Sequence, residues 1–158
     1  MGAKVQPTEP EGTSNPFEPK CIKRLQEIIG SLLFNGQGVD VTLMLTLNEL
    51  ASAQAQGTEA TKLALLKVLD YCDTHDDEKI RYFASEMILH MNSDASYLSA
   101  YRARSRVGGN FFLSNKISEG QQIRNNGAIL VIVAILKNVM ASAAESELGG
   151  LFLNGKEQ

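Results

Sequence analysis

The side chains of this chain best suited to chemistry are acids and arginines in its second half. Met87–Met91 is a short apolar run that delivers Asp94 inside Asn92-Ser93-Asp94-Ala95-Ser96-Tyr97. A second apolar run, Ala128–Leu136, leads to Ser142-Ala143-Ala144-Glu145-Ser146-Glu147-Leu148. A carboxylate at the end of a strand and another on a nearby helix are raw material for a divalent-metal site acting on phosphodiesters. Magnesium takes hard oxygen ligands, commonly one or two protein carboxylates. Turn chemistry gives Asp94 a second reading, a solvated acid closing a strand. Glu145 and Glu147 cannot both face one site, because two helical residues are separated by roughly 200°. Ser142 and Glu145 have the spacing of a capping box, which gives Glu145 a structural task. Arg102, Arg104 and Arg106 alternate and would line one side of an extended chain. They are either a phosphate-contacting edge or a solvated hairpin flank.

Other chemistry is poorly supplied. Gly108-Gly109 lacks the spacing and the Lys-Ser/Thr of a phosphate loop and reads as a turn or bulge. His75 and His90 have no triad partners at suggestive spacing. Cys21 and Cys72 are far apart and match no zinc pattern, so they read as thiols of a reducing compartment.

These residues must be positioned by elements of two kinds. Apolar residues at Cys21, Ile22, Leu25, Ile28, Ile29, Leu32 and Leu33 form a helical stripe. Asn35-Gly36-Gln37-Gly38 is expected to stop that helix. Asp40 is placed to cap a second helix, with Leu43, Met44, Leu47, Leu50 and Ala51 inward. Thr58 is placed to cap a third, with Glu59 in its first turn and Leu65, Val68, Leu69 and Cys72 inward. The periodicity then turns toward two. Ile80–Phe83, Met87–Met91, Ser105–Ser114 and Ala128–Leu136 are predicted strands, although the last also suits a buried helix. Ala141–Asn154 is a predicted final helix. The expected class is α+β: a three-helix cluster at 18–78 after a disordered lead-in at 1–17, then a three-stranded antiparallel meander with one packed helix at 79–158.

The order Ser93-Asp94-Ala95-Ser96, Arg104-Ser105-Arg106-Val107-Gly108-Gly109, Phe111-Phe112-Leu113 and Ser142–Leu148 resembles the ribonuclease H domain of copia-type retrotransposon polyproteins. Upstream, Gln26–Leu33 and Gly57-Thr58-Glu59-Ala60-Thr61 resemble the helical segment between reverse transcriptase and ribonuclease H in those polyproteins. The likeness runs from about Pro16 onward. It implies a partial ribonuclease H-like fold and descent from an enzyme that cuts RNA in RNA–DNA hybrids during reverse transcription. In that family the helical Glu immediately precedes an apolar residue packed on the sheet, so Glu147 before Leu148 is the matching acid. The implied catalytic and metal-binding pair is Asp94 and Glu147, the implied cofactor magnesium or manganese, and the implied partners an RNA–DNA hybrid and the remainder of a polyprotein. Family hydrolysis uses two metal ions and several acids. Beyond Glu147 this sequence offers Glu157 alone. The expected metal is therefore weakly held, and the isolated chain is expected to be inactive. The alternative is a non-catalytic helical interaction module with no metal site.

The bulk properties are those of an ordinary folding chain. Its 158 residues are 44% hydrophobic and 21% charged, with net charge −3. No global positive field draws in nucleic acid, so any such contact must be local. No apolar leader follows Met1, and Ala128–Leu136 is shorter than the roughly 20 residues a membrane span takes. The expectation is an intracellular protein, cytoplasmic or nuclear, that does not engage the membrane.

Overall fold

The computed structural model describes residues 17–100 and 103–157. They divide into two compact units with the boundary between Ile80 and Arg81. Among the described residues there are four α-helices and one three-stranded antiparallel sheet, an α+β arrangement.

In the first unit, Pro19 opens α1 (Pro19–Gly38), where its fixed φ and missing N–H carry no cost. The expected stop at Asn35–Gly38 comes only at its last residue, and the helix runs through Asn35, Gly36 and Gln37 before ending at Gly38. Packing is the reason. Gly36 is buried, and a Cβ there would lie 3.2 Å from both Leu47 Cδ1 and Met44 Sδ. Tertiary contact holds a last turn that local propensity disfavours. Asp40 caps a short 3-10 turn, Val41–Leu43, by accepting from the Thr42 N–H at 3.0 Å. That turn feeds α2 (Met44–Ala53). Thr58 caps α3 (Glu59–Thr74), where Thr58 and Thr61 exchange side-chain-to-backbone bonds. Leu25, Ile29, Leu43, Leu47, Leu50, Leu65 and Val68 meet in one core.

At the start of the second unit, the expected strand Ile80–Phe83, which spans the boundary, does not form. The Phe83 backbone is bonded by a side chain instead of a ladder. Phe83 N–H donates to Asn126 Oδ1 at 2.7 Å, and Asn126 Nδ2 donates back to the Phe83 carbonyl at 2.9 Å. The Tyr82 hydroxyl donates to the Ala128 carbonyl at 2.8 Å. The Asn115 amide oxygen accepts from Glu86 N–H, and the Glu86 carboxylate accepts from Lys116 N–H.

The sheet contains β1 (Ile88–Ala100), β2 (Arg104–Ser114) and β3 (Ala128–Ile135) in that order, each antiparallel to the next. The expected pairing of three strands holds, and Ala128–Ile135 is a strand rather than a helix. β1 is much longer than the expected Met87–Met91, so Asn92–Tyr97 lies inside it, not in a turn after it. The β1–β2 register shifts between Ser96 and Ala100, where Leu98 adopts φ 53°.

The final helix, α4 (Ala143–Gly155), starts at its cap Ser142, whose Oγ accepts from Glu145 N–H at 3.1 Å. The Glu145 carboxylate takes the Ala141 N–H instead of closing the box on Ser142. Ser146, Gly150 and Asn154 are its buried face. They sit over Ser105, Val107 and Gly109 of β2. Four helical residues advance about 6 Å and two strand residues about 6.8 Å. The two rows therefore match position for position, Ser146 on Ser105, Gly150 on Val107 and Asn154 on Gly109.

Candidate functional site at the β1 edge

The site is built where α4 crosses β1. Asn154, fully buried, donates through Nδ2 to Ser93 Oγ at 2.8 Å and to the Gly108 carbonyl at 3.0 Å. A Cβ on Gly150 would lie 3.3 Å from Ala95 Cβ. The Tyr97 hydroxyl donates to the Ala141 carbonyl just before α4. Ser93, Ala95 and Tyr97 therefore face the helix. Strand alternation turns Asp94 to the opposite face. There it is exposed, across from Gly108 of β2.

Glu147 lies on the helix side. With Ser93, Leu148 and Leu151 it lines an open hollow of about 300 Å³ between α4 and β1. Glu147 is thus beside the sequence neighbour of Asp94 but on the other side of the strand. The expectation that α4 brings the two carboxylates together to share one cation is not met. It assumed that Asp94 ended a strand, where a side chain is free to turn. In mid-strand the alternation is fixed by the Ser93, Ala95 and Tyr97 contacts.

With Asp94 and Glu147 on opposite faces of the strand, a magnesium ion beside either acid would meet only one carboxylate of the expected pair. Among the described residues no group of three or more His, Cys, Asp or Glu side chains is arranged to hold a metal ion. Glu145 is occupied in the cap of α4. His75 stacks on Tyr71, and His90 Nε2 lies 3.0 Å from the Asn115 carbonyl, so both serve the fold.

The arginines divide. Arg102 lies outside the described residues. Arg104 is exposed near the β1–β2 turn, while Arg106 is buried at 8% exposure. Because Ser105 and Val107 face α4, both described arginines belong to the face that carries Asp94. Gly108 and Gly109 are neither turn nor bulge. They continue β2, and Gly109 leaves the space that Asn154 fills.

Two contributors escaped sequence reasoning, Asn154 and the Ser105–Ser146 hydroxyl pair at 3.0 Å. A signal for them existed in Gly149-Gly150. Glycine inside a helix costs about 1 kcal/mol against alanine, so a pair there marks a backbone in close approach. A Cβ on Gly150 would lie 2.9 Å from Val107 Cγ2.

No family model, curated protein or solved structure matches this chain. Among the described residues no helix is long and apolar enough to cross a membrane.

Proposed function

We propose that this chain is part of a copia-type retrotransposon polyprotein, related to the ribonuclease H cleavage of RNA in RNA–DNA hybrids, and that it does not catalyse this reaction alone. One observation carries the reading. The chain returns from β3 over β2 to β1 on a helix whose Glu147 comes down beside Ser93, next in sequence to Asp94. That order, a meander followed by a helix recrossing to its first strand, fits the resemblance carried by the motifs. Its inactivity follows from the donor geometry. A phosphodiester displacement needs charge on the leaving oxygen stabilised by several kcal/mol, and two carboxylates on opposite strand faces do not assemble that stabiliser.

The chain's contribution to such a reaction is structural and electrostatic. Arg104 offers a positive charge on the face that carries Asp94. Behind that face α4 packs on β2 through Ser146, Gly150 and Asn154.

The test is an RNA–DNA hybrid offered to the whole chain with magnesium and with manganese, at low and at moderate salt. The expected result is weak, salt-sensitive binding with no cleavage. Cleavage abolished by Asp94→Asn would overturn the inactivity. No binding at either salt concentration would overturn the nucleic-acid reading.

That last result would favour a non-catalytic interaction module, which has its own supporting observation. Leu148 and Phe152 are each 67% exposed on α4, with Leu151 also exposed between them. Such an apolar strip on a surface helix is a feature of binding faces.

A further inference from the structure

The sequence contains three Asn-Gly dipeptides, Asn35-Gly36, Asn126-Gly127 and Asn154-Gly155. In any Asn-Gly pair the glycine nitrogen can attack the asparagine amide carbon, since no Cβ obstructs the approach. The fold sets the three apart. Gly36 and Gly155 lie within α1 and α4, where helical geometry carries the peptide nitrogen away from the preceding side chain. Asn154 is in addition fully buried. Asn126-Gly127 lies in irregular chain just before β3, and both residues are half-buried. Gly127 N–H donates to Asn126 Oδ1 itself at 2.8 Å. With Oδ1 one bond from Cγ, about 1.23 Å, the nucleophilic nitrogen is held close to the carbon it would attack.

The geometry points to Asn126 as a deamidation site built into the sheet unit, whose conversion releases the 81–87 segment. Deprotonated Gly127 N attacks Asn126 Cγ. The N–Cγ bond forms, the Cγ–Nδ2 bond breaks, and Nδ2 leaves as ammonia after taking up a proton. Water then opens the cyclic imide at either carbonyl, giving aspartate or isoaspartate. The net change is asparagine plus water to acid plus ammonia, with no oxidant or reductant.

The consequence follows from what this amide holds. Asn126 Oδ1 accepts from Phe83 N–H, and Nδ2 donates both to the Phe83 carbonyl and to the Leu113 carbonyl, the latter at 2.7 Å. These partners fix which end of the amide is nitrogen. Aspartate has no donor to replace Nδ2, so a carboxylate oxygen would face two carbonyl oxygens. Isoaspartate also lengthens the backbone immediately before β3. Either product removes the pin between Phe83 and the end of β2. The reaction is one-way, so its readout is cumulative.

The experiment holds the whole folded chain in mildly alkaline buffer and maps its peptides by mass over time, beside a sample in denaturant. Asn126 should convert in the folded chain while Asn35 and Asn154 persist, and all three should convert in denaturant. A folded chain that keeps Asn126 intact, or converts Asn35 or Asn154 first, overturns the site. Gly127→Ala should slow conversion at Asn126 by about tenfold or more, because a Cβ obstructs the approach of its nitrogen. Hydrogen exchange on a partly converted parent sample reads the release without any variant. Phe83 and Glu86 amides should exchange faster in converted than in intact molecules. Equal protection in the two populations overturns the release.

Discussion

Gly109→Ala tests the match between α4 and β2 most severely. A Cβ at Gly109 would lie 2.7 Å from Asn154 Cγ and 3.0 Å from Nδ2, and closer still to Oδ1. The obstacle is not the loose end of a flexible chain. Asn154 is fully buried and tied to Ser93 Oγ and to the Gly108 carbonyl. Displacing it breaks two hydrogen bonds at about 1 kcal/mol each. Overpacking adds about 1–3 kcal/mol. Removing a glycine from a strand returns about 0.5–1 kcal/mol. The net expectation is a loss of about 2–4 kcal/mol, a large part of the 5–15 kcal/mol typical of a domain. Hydrogen exchange at the Val107 and Phe111 amides reads this loss in the sheet unit separately from the helical unit. The double variant Gly109→Ala/Asn154→Ala should be less damaged than the two single losses added together, with a coupling of about 1 kcal/mol or more. A neutral Gly109→Ala, or strict additivity in the double variant, would refute the claim that Asn154 is seated because residue 109 lacks a Cβ.

Three further outcomes are expected. In α1, Gly30→Ala should stabilise the helical unit by about 0.5–1 kcal/mol in urea unfolding, since nothing lies within 4 Å of the added Cβ, whereas Gly36→Ala should destabilise it against Leu47 and Met44. Burial pushes the Cys72 thiol above its ordinary range and the Asp40 carboxylate adds to the shift. Less Cys72 is thiolate at neutral pH, so timed alkylation should modify the exposed Cys21 first, with Cys72 catching up as the pH rises. Because the folded state holds the Cys72 proton more tightly, this contribution to stability is present below the ordinary thiol range and is lost as pH rises through the raised value. Arg104→Ala should weaken binding to an RNA–DNA hybrid and reduce its salt slope by about one unit, while Arg106→Ala should act mainly on folding, because Arg106 is buried.

Local pattern and chemistry determined a great deal of this protein. Stripes at helical spacing located α1, α2 and α3, and Thr58 located the start of α3, because capping and amphipathicity act within a turn or two of chain, whereas Asp40 caps the 3-10 turn ahead of α2 rather than α2 itself. Apolar runs and turn residues likewise located the three strands and their antiparallel order. What lay beyond local reach was decided by packing. Gly36 stays helical because Met44 and Leu47 close over it. Ile80–Phe83, strand-like by composition, is irregular chain whose Phe83 backbone is bonded by Asn126, 43 residues away along the chain. The candidate site depended most on the tertiary structure. The motif around Asp94 named the residue and its strand, but not whether the strand ended there. Once Ser93, Ala95 and Tyr97 pack against α4, a period of two assigns Asp94 to the far face and separates it from Glu147. Residue types alone carry the chemistry of a carboxylate. The face it occupies is set by the neighbours whose burial stabilises the strand.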